Sequence, residues 1–196
     1  QPAVELAKLV SKIAPSGEVS LEANPEDIND ERCAAWRDAG ITRLSIGIQS
    51  FNASTAKQLG RAHSSRQATQ AVHTAVNAGF RSVSLDLIFG LAGQTLGEWE
   101  SDLTTAIDLG VAHLSAYGLS IEPETLFAKR KTPTAGDEAW HDLYAAALER
   151  LESAGLARYE VSNFARPGHR CVHNEHYWRA RWWAGLGPAA YGWRPS

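Results

Sequence analysis

The chain has 196 residues, 44% hydrophobic and 21% charged, with 16 Gly and 8 Pro, a balance that supports a packed core and excludes disordered and fibrous classes. Nineteen basic against 22 acidic residues give a net charge of -3, so no chain-wide positive field draws nucleic acid or anionic lipid, and neither is expected as a partner. No apolar run approaches the roughly 18 residues of a membrane-spanning helix, and no signal-peptide pattern occurs. Two cysteines, Cys33 and Cys171, make no disulfide framework and suit a reducing, cytoplasmic setting. A start at Gln1 and the absence of Met read as an internal segment of a longer protein.

After an uninformative stretch of about 15 residues, short segments rich in Val, Leu, Ile and Ser alternate with longer stretches of helical periodicity. Strands are predicted near 18–23, 42–49, 82–89 and 112–119, and helices near 30–39, 53–59, 66–79 and 96–109. That alternation predicts an α/β fold with a parallel sheet and crossover helices. Asp30 is placed to cap the first of these helices, and Gly40 to end it. Between 66 and 79 the stripe Ala68, Ala71, Val72, Ala75, Val76 and Ala78 ends at Gly79, which stops the helix. Ala39-Gly40 and Ala154-Gly155 are similar endings. A long amphipathic helix, Asp137 to Ala154, carries Trp140, Leu143, Tyr144, Ala147, Leu148 and Leu151 on one side and should pack outside the sheet. Residues 1–155 thus read as a barrel core. Residues 156–196 read as a loop-rich extension in His and Trp, leading toward a further domain.

Strand parity sorts the side chains into two faces. Val19 and Leu21 oppose Ser20 and Glu22. Leu44, Ile46 and Ile48 oppose Ser45, Gly47 and Gln49, and Val83, Leu85 and Leu87 oppose Ser84 and Asp86. The apolar face wants helices over it, while the small polar face suits a barrel lumen. Glu22, Gln49 and Asp86 come at the C-terminal ends of their strands, where (β/α) barrels assemble their sites. Each taken alone is as readily a helix cap or a loop anchor.

The strings Leu21-Glu-Ala-Asn-Pro25, Arg43-Leu-Ser-Ile-Gly-Ile-Gln-Ser-Phe51, Leu59-Gly-Arg-Ala-His63 and Leu85-Asp-Leu-Ile-Phe-Gly-Leu91 with Gly93-Gln-Thr95, in that order, resemble the radical-SAM proteins of the HemW/HemN family. Tyr159-Glu-Val-Ser-Asn-Phe-Ala-Arg-Pro-Gly168, His173-Asn174 and Tyr177-Trp178 are similar to the HemW branch. The resemblance implies a partial TIM-like radical-SAM (β/α) barrel, truncated at both ends. It implies S-adenosylmethionine held by Glu22 (ribose), Gln49, Arg61 (methionyl carboxylate) and Asp86, with the backbone of Ser120 at the adenine. Family members also carry a [4Fe-4S] cluster on a C-x-x-x-C-x-x-C run, which this chain lacks and which the family places upstream of Glu22. Without those thiolates the segment is expected to hold no metal and to be inactive alone, and no catalytic residue is assigned. The sequence departs from the family at Ala92, where Pro is common, and at Gly187-Pro-Ala-Ala-Tyr191, where a Gly-Pro-Gly-Ala-His-like string is common.

His169, Cys171, His173 and His176 fall within eight residues, a density that suits a metal site or a solvated surface. The resemblance implies a heme chaperone that delivers heme to respiratory proteins, with His173 or Cys171 as iron ligand and Tyr177 beside them. The alternative within the family is an oxygen-independent coproporphyrinogen III oxidase. A reading without the resemblance is a metabolite-binding barrel whose Gly90, Gly93 and Gly97 shape an anion site at a helix start. The open sheet of a truncated barrel leaves edges that favour dimerisation.

Overall fold

The computed structural model describes residues 2–13, 17–61, 63–188 and 190–194; Ala62 of the third family string and Ala189 of the departing loop lie outside these. The elements run α1 (Pro2–Ile13), β1 (Ser20–Ala23), a 3-10 turn (Pro25–Asp27), α2 (Asp30–Asp38), β2 (Arg43–Gln49), α3 (Ala53–Gln58), α4 (Ser65–Asn77), β3 (Ser82–Phe89), α5 (Leu96–Asp108) and β4 (His113–Gly118). They continue with α6 (Leu126–Lys129), α7 (Asp137–Ser153), β5 (Ala157–Arg158), β6 (Asn163–Ala165) and α8 (Val172–Trp178). The sheet order is β1-β2-β3-β4-β6-β5, with β1 to β4 parallel to one another. The fold is thus the α/β, mostly parallel arrangement that the alternation of elements implies.

Helix ends follow local chemistry. Asn29, not Asp30, caps α2: its side chain accepts from Arg32 N at 2.8 Å, and Asp30 is already helical. One position separates the two because Asp30 also suits the first turn, where a carboxylate favours the helix dipole. Capping boxes start α4 (Ser64 with Gln67) and α5 (Thr95 with Glu98). Gly97 therefore sits inside α5, and Thr95 takes the Glu98 amide of its first turn. Gly40, Gly79 and Gly155 each follow a C-capping Ala at positive φ, the left-handed exit that glycine adopts without a Cβ clash.

The apolar strand face is the core. Leu44, Ile46, Ile48, Leu85, Leu87 and Leu114 are fully buried beneath Cys33 and Trp36 of α2, Val72 of α4, Trp99 and Leu103 of α5 and Leu143, Ala147 and Leu151 of α7. Trp99 donates from its indole to Leu143 O at 2.8 Å, and Phe89 sits between Trp99 and Trp140 with ring centroids 5.3 and 5.2 Å away. The long helix packs against the sheet as its stripe implied. Its Trp140 lies over Gly118, where an added Cβ would stand 2.6 Å from Nε1. Gly118→Ala is expected to lower unfolding free energy by about 1–3 kcal/mol through overpacking, read as a fall in the urea midpoint at unchanged slope.

Beyond residue 155 the chain is more ordered than its composition suggested. Strand β6 pairs antiparallel with β4, and β5 with β6, so the sheet continues into the tail. These strands span two and three residues, too short for periodicity to register. Helix α8 covers Val172–Trp178. No helix among the described residues is long and apolar enough to cross a membrane.

Candidate functional site

The polar strand faces stack into rungs. In parallel sheets, residues in register point the same way, so Ser20, Arg43 and Ser82 form a lower rung. Glu22, Ser45, Ser84 and His113 form a middle one, and Gly47, Asp86 and Ser115, with Asn163 from β6, an upper one. All of these except Ser82 and Gly47 line a cavity of about 110 Å³ that also takes in Cys171, His173 and Asn174.

At the upper end, Asp86 accepts from Ser45 Oγ at 3.1 Å through both carboxylate oxygens. Burial raises its pKa to about 6; the Ser115 and Ser45 hydroxyls oppose that shift, Glu22 adds to it and Arg61 opposes it. Gln49 closes β2 at φ 66 after a register shift past Gly47, which turns its amide back over the lumen. An added Cβ at Gly47 would lie 3.0 Å from Gln49 Nε2, 3.6 Å from Asn24 Oδ1 and 3.7 Å from Arg61 Nη2. Arg61 is held by Asn24 Oδ1 at 2.8 Å. Gly47 therefore leaves a gap ringed by an amide, a carbonyl oxygen and a guanidinium, beside the Asp86 carboxyl. Glu22 is exposed because β1 is the sheet's edge.

The structure thus brings Glu22, Gln49, Arg61 and Asp86 to one end of the lumen. Asp86 stands three residues inside β3 rather than at its terminus. Ser120 does not join them by its side chain, which is exposed beyond β4 and donates to Glu122 Oε1 at 3.3 Å.

A second polar chain forms the floor. Tyr159 Oη accepts from Cys171 N at 3.3 Å and Asn174 Nδ2 at 3.4 Å, which leaves its proton for His113 Nε2 at 2.8 Å. His113 then carries its proton on Nδ1 and donates to Ser84 Oγ at 2.6 Å, a tautomer assigned by the network. Burial, then the charge of Arg43 and then His169, depresses His113 to about 3, so the ring is neutral, and burial pushes the Tyr159 hydroxyl up to about 12. Cys171 is also buried, its thiol 3.6 Å from Glu18 Oε1. His173 is exposed, with its ring edge-on to Tyr177 at 4.6 Å, and Tyr177 lies 4.0 Å from Trp183. Of the two candidate iron ligands, one faces solvent and the other the interior.

His113 was open to the same parity argument, since it shares a face of β4 with Ser115. Arg43 likewise precedes Ser45 in parity. Tyr159 and Asn163 carried no such signal, because a hairpin and not periodicity delivers them. Asp102 of α5 was also missed: it is buried, and accepts from Ser50 Oγ at 2.6 Å, Phe51 N at 2.8 Å and Asn52 N at 3.2 Å. It pins the loop directly after Gln49.

A family model described as the Radical SAM superfamily matches residues 1–106, more than half of the chain. The chain belongs to the radical SAM superfamily. It is 41% identical over 180 residues to heme chaperone HemW of Escherichia coli (strain K12), covering 92% of this chain and 48% of that protein. To heme chaperone HemW of Haemophilus influenzae it is 42% identical over 175 residues, covering 89% and 46%. The chain thus spans about half the length of the curated relatives it matches. The solved structure of coproporphyrinogen III oxidase (HemN) from Escherichia coli, a radical SAM enzyme, superposes with a TM-score of 0.79 at 21% identity over 97% of this chain and 49% of that one, which establishes the shared fold.

Membership of the radical SAM superfamily implies S-adenosylmethionine and a [4Fe-4S] cluster, and the residues present answer differently to each. The gap over Gly47, ringed by Gln49, Asn24 and Arg61, with carboxylates at Glu22 and Asp86, fits a cofactor that carries hydroxyls, an amine and a carboxylate. A cluster needs several thiolates together. Cys33 lies in the core and Cys171 in the lumen floor, and no group of three His, Cys, Asp or Glu among the described residues is placed to hold a metal. These residues do not fit a cluster, and no step through one follows from this chain.

Proposed function

We propose that this chain is the S-adenosylmethionine-facing portion of a HemW-type heme chaperone. The observation that carries the reading is shared location: Glu22 and Asp86 of the cofactor face line the same cavity as His173 of α8. A ligand on His173 would sit beside the cofactor cradle. When bound with its cluster, S-adenosylmethionine supplies a carbon-centred radical. The residues here would hold and orient it: Glu22 would accept from its ribose hydroxyls, Arg61 would pair with its carboxylate, Gln49 and Asp86 would take its remaining polar edge, and the Ser120 backbone would serve the adenine.

For heme, the exposed His173 is the iron ligand, and the Tyr177 and Trp183 rings packed behind it offer an aromatic flank to a porphyrin. Buried Cys171 instead fixes the start of α8. Heme transfer to respiratory proteins, and a cytoplasmic location, belong to this proposal.

The chain is expected to shift the Soret band on titration with hemin, and His173→Ala to weaken that binding about tenfold or more, in keeping with loss of an axial ligand. Cys171→Ser should leave the spectrum unchanged. Undiminished hemin binding in His173→Ala would overturn His173 as the iron ligand, and conversion of coproporphyrinogen III by the longer protein would favour the oxidase reading instead.

A further inference from the structure

The lower rung and the loop beside it hold three buried polar atoms that the cofactor and heme readings leave unused. Arg43 Nη1, Ser82 Oγ and His169 Nδ1 have no hydrogen-bond partner among the described residues. Arg43 and Ser82 are register partners at the first positions of β2 and β3, each only 4% exposed. Arg43 Nη2 donates to His169 O at 2.6 Å, which ties the third orphan to the same place. Native proteins pair about 90% or more of their buried polar groups, and a guanidinium N–H left alone is among the most costly to bury. Three together call for a ligand.

The surroundings say which kind. Arg43, Ser82, Arg81 and Arg170 line a pocket of about 230 Å³ at the N-terminal ends of the strands, with Glu18 and Glu175 as its carboxylates. Glu18 is engaged by Arg43 Nε at 2.9 Å, and Glu175 by Arg170 and Arg179. Arg166 donates to the carbonyls of Val111 and Ala154, which carry no net charge to offset it. Burial first, then Arg43, Arg81 and Arg166, holds the His169 ring below its ordinary pKa, so cationic charge converges on this imidazole. Guanidinium donors are suited to oxyanions in bidentate geometry.

We propose that this basal pocket, formed by Arg43, Arg81 and Ser82 with His169 at its border, is an oxyanion site that takes a phosphate or carboxylate group, at the opposite end of the strands from the cofactor cradle. The anion accepts from Arg43 Nη1, from the Ser82 hydroxyl and from the exposed Arg81. Because Val172 and Glu175 of α8 also line the pocket, its occupant lies against the segment that carries His173.

The test is thermal unfolding and calorimetric titration of the whole chain at constant ionic strength, with chloride replaced by inorganic phosphate in one arm and by propionate in the other. A concentration-dependent rise in unfolding midpoint, with saturable heat, is expected for at least one of them; the responding arm identifies the source. In Arg81→Ala/Ser82→Ala the saturable heat should disappear, while Ser82→Ala alone, in chloride, should be as stable as the parent because it removes an unpaired hydroxyl. An equal rise in the double variant is the general salting effect of such anions and overturns the proposal. So does the absence of saturable heat in both arms, which leaves water as the occupant.

Discussion

Asp102→Ala is expected to lower the unfolding free energy by about 3–5 kcal/mol, among the largest effects of any single substitution in this chain. The carboxylate is buried and accepts from one hydroxyl and two backbone amides at residues 50–52. Its removal takes the acceptor from the buried Phe51 N and from the Ser50 hydroxyl, each at a desolvation penalty in addition to the cavity, while Asn52 N keeps Ser50 Oγ at 3.0 Å. Asp102→Asn retains an acceptor for Phe51 N, and Ser50 Oγ can accept from the new amide, so its loss should be less than half as large. The loop in question follows Gln49, whose left-handed backbone depends on where residues 50–52 are held. The alanine variant should therefore weaken cofactor binding more than its global destabilisation alone would, while residual structure persists. Urea unfolding monitored by tryptophan fluorescence reads the first effect, and ligand titration at low denaturant the second.

Acidification should expose the second large effect. His113 is depressed to about 3 from 6.5: the folded state binds fewer protons than the unfolded one in that window, so stability is full above pH 6.5 and is lost as pH falls toward 3. At 1.36 kcal/mol per pKa unit the ceiling is about 5 kcal/mol. Asp86 acts with the opposite sign. Its pKa is raised to about 6, so its contribution is present below 3.8 and is lost as pH rises through 6. The two partly cancel between pH 4 and 6, and the informative quantity is the difference between the parent and His113→Gln. That variant keeps an acceptor for Tyr159 and a donor for Ser84 but no titration, and its stability should fall less steeply below pH 6.5. Parallel profiles for the two proteins would mean that His113 is not held neutral by its burial.

The contrast between what the sequence disclosed and what it did not follows from the reach of each physical signal. Strand parity is a local, period-two property, so Ser45, Gly47, Ser84 and Asp86 could be put on one face before any fold was known, and the register now aligns them in rungs. Helix α4 announced itself through a stripe whose Ala68, Ala71, Val72 and Ala75 are buried. Tyr159 meets His113, and Cys171 and Asn174 meet Tyr159, only because β6 runs antiparallel to β4 and returns the chain to the lumen. Nothing in a three-residue strand announces that pairing. Asp102 carries no signal of burial in its own sequence neighbourhood, and its partners at residues 50–52 are brought to it by the turn of the chain after Gln49. The family strings located Glu22, Gln49, Arg61 and Asp86, but their ordering in sequence carried no distance, and Gly47 as the gap between Gln49 and Arg61 emerges only in three dimensions.

Calorimetric titration of the chain with S-adenosylmethionine tests the cradle most directly. Saturable binding is expected, weakened about tenfold or more by Glu22→Ala and by Arg61→Ala, since each removes a charge-assisted contact, and unchanged in Ser120→Ala, whose backbone is kept. Affinity that is the same in the parent, Glu22→Ala and Arg61→Ala would contradict the assignment of the upper lumen as the cofactor's seat.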